Sequence, residues 1–279
     1  MKNQLKTMFF LVILTFLLLL VGSFVGGLGG LTIAFAFSIL MNFGAYFWSD
    51  KIVLKMYKAD EIQKKDNKEL FKIVSQVVNL AKIPMPKIYV VPSQSPNAFA
   101  TGRNPEHSAI AFTEGILSIL KKEELKGVIA HELSHIKNRD TLVQTVTASI
   151  VGVISYIAMM TRFATIFGGF GGRDRNSNLF EILILAIVMP LLAMVIQMAI
   201  SRSREFLADE KAAKILHTGN GLASALEKLD YYSKRKQLKL GNESTSSLFI
   251  VNPFHRGAFV NLLSTHPPIK KRIKILKSF

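Results

Sequence analysis

The sequence predicts a mainly α-helical, polytopic membrane protein with a small β-sheet, and three observations carry that prediction. The chain of 279 residues is 49% hydrophobic, a high apolar share for one that is also 19% charged. Its apolar residues are gathered into uncharged runs long enough to cross a bilayer. Between and after those runs stand two polar pieces, one holding short β-branched stretches and the other made mostly of helices.

The first run lies between Lys6 and Asp50 and holds 43 residues without a charge. That is about twice the ~20 residues a helix needs to span a membrane. Gly26, Gly27, Gly29 and Gly30 fall near its middle, so residues 1–49 are expected to form a transmembrane hairpin with a tight turn. A second span follows the first at once and no small-residue cleavage site is evident, which argues against a signal peptide. Two further uncharged runs, Thr141 to Thr161 and Ile182 to Ser201, are joined by the polar, glycine-rich GGFGGRDRNSN. They predict a second membrane hairpin over 141–201, with Pro190 as a kink. A buried amphipathic helix is the alternative for the run from Thr141, which holds several Thr and Ser.

Lysine and arginine set the orientation. Lys2 and Lys6 precede the first span, Lys51, Lys55 and Lys58 follow the second, and Arg202 and Arg204 follow the last. Residues 50–140 and 202–279 are therefore expected in the cytoplasm, although Arg173 and Arg175 in the outer loop run against the rule. The net charge of +16 then reads as attraction to anionic headgroups and not to nucleic acid. No cysteine is present, which excludes disulfides, thiolate metal ligands and a cysteine nucleophile.

Within 50–140, Leu70, Ile73, Val74, Val77, Val78 and Leu80 recur at helical spacing from Lys68 to Ala81, where Pro84 and Pro86 end the pattern. Lys87 to Val91 is a strand by β-branched and aromatic content. Asn97 to Thr101 and Ser108 to Thr113 are two more, joined by the turn Gly102-Arg103-Asn104-Pro105. A helix around Gly115 to Leu120 and a longer one from Glu123 through His135 follow. In 202–279, helices are expected from Arg202 to Leu216 and Gly221 to Tyr232. A polar loop is expected from Ser233 to Leu248, and a basic helix from Pro267 to Phe279 carrying Lys270, Lys271, Arg272, Lys274 and Lys277. That last stretch is expected to rest on anionic headgroups.

The chemistry is concentrated in His131-Glu132-Leu133-Ser134-His135, an H-E-x-x-H sequence. Residues four apart share a helix face, so His131 and His135 can aim two imidazoles at one ion while Glu132 reaches a water on it. Such an ion, Zn2+ by its ligand type, activates water and polarises a carbonyl, with Glu132 as general base. The motif ends six residues before Thr141, so about 10 Å of helix at most separates it from the expected membrane boundary. A small sheet followed by this helix suits a zincin-type metalloprotease domain. A third ligand is needed and must be His, Asp or Glu. By position the candidate is Glu205, with Asp209 one turn on to orient a ligand imidazole. Spacing alone equally allows a surface acidic pair balancing Arg202 and Arg204.

HELSHIKNRD, SRSREFLADEKAA after the membrane hairpin, NAFATG at Asn97 to Gly102 and STHPPIKKRI near the C-terminus together resemble the HtpX family of bacterial membrane zinc endopeptidases. The match extends over nearly the whole chain, and the CAAX prenyl endoproteases are similar at greater distance. The resemblance implies that His131, His135 and Glu205 bind one Zn2+ per chain, that Glu132 is the general base and that Asp209 supports a ligand. It implies that Asn97 and Ala98 lie in an edge strand binding substrate backbone by strand addition, and that His266 donates to the oxyanion. It also implies unfolded or membrane proteins as substrates, in a bacterial inner membrane with the active site on the cytoplasmic side. The competing expectations are a non-proteolytic scaffold or transporter with a structural metal site, and a prenyl-protein endoprotease. Transport is disfavoured by the lack of charge inside the spans.

Overall fold

The computed structural model describes residues 2–142, 202–233, 250 and 267–279. The expected second hairpin, apart from its first two residues, the loop from Ser233 beyond its first residue, and His266 lie outside the described residues. The elements in chain order are α1 (Lys2–Met56), β1 (Asp60–Glu61), α2 (Lys68–Ala81), β2 (Lys87–Val91), β3 (Ala98–Asn104), β4 (His107–Thr113), α3 (Glu114–Ile119) and α4 (Lys122–Asn138). They are followed by α5 (202–216), α6 (Asn220–Ser233) and α7 (Ile269–Leu276).

α1 is two helices folded against each other. Gly26 and Gly27 leave helical geometry, and Gly27 takes φ 55°, ψ −137°, a conformation open to glycine and costly for residues with a Cβ. Gly22 and Gly30 then meet backbone to backbone, and Asn42 donates to Thr15 Oγ1 across the pair at 2.8 Å. Phe9, Val12, Phe16, Ile33, Phe35 and Leu40 are exposed along it. Among the described residues one stretch, Gly26–Gly44, is long and apolar enough to cross a membrane.

The second arm of α1 runs into the back of the sheet. The sheet has four strands in the order β1-β2-β4-β3. β2 and β4 are parallel, while β1 pairs with β2 and β3 pairs with β4 antiparallel. Side chains alternate between its faces. One face, with Phe99, Ala109 and Ala111, packs on Val53, Leu54 and Tyr57 at the end of α1. Gly102, Arg103 and Asn104, expected as a turn, continue β3 in pairing with β4, and Arg103 lies 5.0 Å over the Phe47 ring, so the second arm of α1 and the edge strand are held together. The other face, with Ile88, Ala98, Ala100, Ile110 and Phe112, joins α2, α4 and α6 in the main core.

α2 buries Leu70, Ile73, Val74, Val77, Val78 and Ala81, and Leu80 is exposed. Asn67 caps its start by accepting from Leu70 N–H, as an N-cap side chain does. α4 is different in kind. From Glu124 to Ile136 it is buried everywhere but at Lys126, because β3, α2 and α6 surround it. Gly127 allows the closest of these approaches, since a Cβ there would lie 2.5 Å from Leu222 N of α6. Glu124 knits the same junction, accepting from Lys121 N–H, Ser224 Oγ and Lys228 Nζ, each at 2.7 Å.

Candidate metal centre

Polar residues in a helix buried on all sides require partners. Ser134 satisfies itself by donating to Ala130 O at 2.7 Å. His131 and His135 instead face α5. His131 Nε2 and His135 Nε2 stand 3.2 Å apart. Glu205 brings Oε2 to 3.5 Å from His131 Nε2 and Oε1 to 3.3 Å from His135 Nε2. A tetrahedral ion with ligand bonds of 2.0–2.1 Å separates its donors by about 3.3–3.4 Å. The three residues offer donor atoms within 4.8 Å of one another, at spacings that match that polyhedron. The residues therefore fit a divalent metal, with two imidazoles and one carboxylate as the donor set. α5 supplies the third donor, so the acidic pair Glu205 and Asp209 is buried at the site and not a surface pair.

Each imidazole is oriented from its far side. Asp209 Oδ1 lies 3.0 Å from His131 Nδ1, and Asp140 Oδ2 lies 3.3 Å from His135 Nδ1. A carboxylate on Nδ1 fixes the proton there and leaves Nε2 with its lone pair for a metal. Asp140 reaches back because α4 ends at Arg139 in the left-handed conformation, φ 58°, ψ 31°. Its other oxygen faces Arg204 Nε at 3.6 Å. Four buried carboxylates, Glu132, Asp140, Glu205 and Asp209, thus share the site with two buried guanidiniums, Arg204 and Arg272. A divalent cation would complete the charge balance of that set, two guanidiniums and one M2+ against four carboxylates.

The electrostatics follow from burial and this crowding. Burial pushes the Glu132 carboxyl up, and despite the neighbouring imidazoles it reaches a pKa of about 7, where a carboxylate both accepts and returns a proton near neutrality. The backbone N–H of Ala100 in β3 donates to it. Burial would raise Asp209, but the Arg272 guanidinium outweighs it and holds that carboxyl below its usual range. Burial would lower both histidines. Asp209 and Glu205 reverse this for His131, and Asp140 and Glu205 carry His135 up to about 10. At His135 a proton therefore competes with a metal ion through the neutral range, and the raised His131 adds to that competition. Raising pH removes the competitor, so metal affinity should rise with pH, by up to about tenfold per pH unit for each imidazole proton displaced. Chelator competition across that range measures the slope, and a flat profile would contradict the competition.

The structure brings together His131, Glu132, His135, Glu205 and Asp209. Asn97 and Ala98 lie at the start of β3 but are buried. Asn97 Oδ1 accepts from Ala98 N–H at 3.0 Å and Ile250 N–H at 3.3 Å, so its side chain is engaged within the protein. Sequence reasoning gave no role at the metal site to Asp140, Arg204 or Arg272. Asp140 is five residues from His135, outside the i, i+4 rule, and only the turn at Arg139 returns it. Arg272 read as one of five surface cations, yet it is fully buried. The available signal was its place in the stripe Ile269, Arg272, Ile273, Leu276, whose apolar members pack on the core.

The model of Peptidase family M48 matches residues 64–279. The "Protease HtpX homolog" of Desulfatibacillum aliphaticivorans is 47% identical over 275 residues, covering 98% of this chain and 88% of that one. The protein of the same description in Pyrococcus furiosus is 48% identical over 273 residues, covering 98% and 94%. Among solved structures, Ste24p of S. mikatae superposes with a TM-score of 0.55 at 18% identity, over 99% of this chain. The chain spans 65% of the Ste24p chain, and at that identity the likeness is one of fold. With the family model matched from α2 to the C-terminus and relatives nearly half identical end to end, the chain belongs to peptidase family M48.

Proposed function

We propose that the protein is a membrane-anchored zinc endopeptidase that cleaves misfolded or damaged proteins at the cytoplasmic face of a bacterial inner membrane. The observation that carries the proposal is the convergence of His131, His135 and Glu205 from elements seventy residues apart, with Glu132 beside them. Zn2+ held there would polarise the scissile carbonyl and acidify the attacking water. Glu132 then takes the water's proton and returns it to the leaving amine. Asp209 and Asp140 hold His131 and His135 in the tautomer that binds the ion. β3 is the sheet edge nearest this chemistry, and it would hold an extended substrate by strand addition, a mode that reads backbone and suits unfolded chains. His266 is assigned to the oxyanion, and Asn97 and Ala98 to the start of the substrate strand.

The anchoring is proposed as two hairpins, 1–49 and 141–201, with 50–140 and 202–279 on the cytoplasmic side. The exposed apolar surface of α1 supports the first. Lys51, Lys55 and Lys58 at its end, and the exposed lysines of α7, would lie on anionic headgroups. The test is proteolysis of an unfolded protein such as casein, or self-cleavage, by the detergent-purified full chain. Chelation should abolish cleavage and Zn2+ should restore it. Cleavage that persists with the metal stripped would sink the proposal.

A further inference from the structure

Arg272 is the one charged side chain of α7 that turns inward. Lys277, the C-cap residue of the helix, pairs with Glu227 at the surface, and Lys271 lies 5.4 Å over the Phe206 ring of α5. Arg272 passes between them into the core. Its Nε and Nη2 donate to Asp209 Oδ2 and Oδ1, both at 2.8 Å, a bidentate fork of the kind that fixes a carboxylate in one plane. Nη1 donates to Ile250 O at 3.1 Å and stands 3.0 Å from Glu205 Oε2. Nη2 is also 3.5 Å from His131 Nε2. One guanidinium thus touches a ligand carboxylate, the carboxylate that orients a ligand imidazole, and the edge of that imidazole.

Burying a guanidinium completely is unfavourable unless its charge is used. Three features show the use. The fork holds both Asp209 oxygens, so the rotamer that places Oδ1 on His131 Nδ1 is fixed from behind. The positive charge offsets the repulsion between Glu205 and Asp209, which share one face of α5 four residues apart. The arginine arrives from the last helix of the chain, so the ligand geometry of α4 and α5 depends on α7 docking. We infer that Arg272 is a positioning residue of the metal centre, holding Glu205 and Asp209 in ligand geometry from the C-terminal helix. A lysine there would keep the charge and lose the planar fork.

The inference rests on the metal-site reading, and metal affinity separates the two. Zn2+ affinity is measured by chelator competition on the full-length protein in detergent, with helicity followed by circular dichroism. If the parent binds no ion, the metal-site reading itself fails. If it binds, Arg272→Lys should weaken affinity by about 10–100-fold, the cost of losing an outer-shell partner, with helicity unchanged. Asp209→Asn should weaken it similarly, and the double variant should lose less than the product of the two single losses, because the two residues share the fork between them. Affinity of Arg272→Lys within twofold of the parent, or fully additive losses, would overturn the role. Lys277→Ala controls for helix docking and should bind like the parent. Loss of fold in Arg272→Lys but not in Lys277→Ala would make Arg272 structural and reject the inference.

Discussion

Glu132→Gln should slow proteolysis by about 10²–10⁴-fold, the usual worth of a general base, while the protein still binds one metal ion per chain. The two side chains have the same shape, and Glu132 is buried in α4 with the Ala100 N–H as a donor to it. A glutamine oxygen can accept that same hydrogen bond, so the contact between α4 and the edge strand survives. What is lost is the ability to take a proton. Glu132 is not in the donor set of His131, His135 and Glu205, so ion binding does not depend on it. Casein cleavage and metal content measured on the same preparation make the distinction. A variant that cleaves as fast as the parent removes Glu132 from the mechanism, and one that has lost its metal shows that the carboxylate was holding the site and not only working in it.

The elements that carry local signals were legible in the sequence. α2 follows its apolar spacing with one exception, Leu80, and β2, β4 and the first part of β3 follow their β-branched and small apolar residues, while Gly102, Arg103 and Asn104, which read as a turn, continue β3. Pairing was not legible. β4 lies between β2 and β3, and its parallel pairing with β2 depends on a crossover that no local pattern encodes. β1 is two residues long, below any periodicity. α4 was readable as a helix because its H-E-x-x-H spacing is a helical signal in itself, and its polar residues at buried positions are what a site looks like. The site residues divide along the same line. His131, Glu132, His135 and Glu205 lie where one helix face or one chain position could be reasoned about. Asp140 depends on a single left-handed residue, Arg139. Arg272 depends on how a helix 63 residues beyond Asp209 docks, a tertiary fact that its basic neighbours disguise.

Glu205→Ala should lose the metal, and with it all cleavage. Two imidazoles on one helix turn leave a metal held from one side only, and Glu205 is the donor that closes the other side. The cost should exceed the roughly 10–100-fold that loss of an outer-shell partner brings, so the variant should leave purification with no stoichiometric ion. The protein should still fold, because Glu205 contributes charge to the site and no bulk to the apolar core, to which α5 contributes Ala212, Ala213, Ile215 and Leu216. Removing it also lifts one negative charge from beside Asp209, which leaves the Arg272 fork intact. Elemental analysis beside circular dichroism reads both expectations. Retention of a full equivalent of metal would mean that another group supplies the third donor, and the charge balance of four carboxylates against two guanidiniums and one divalent ion would then have to be redrawn. Loss of the metal with the fold kept would show that α5, which follows the third uncharged run in the sequence, is what converts a two-histidine turn into a binding site. Any force that shifts α5 relative to α4 would then act directly on the ion.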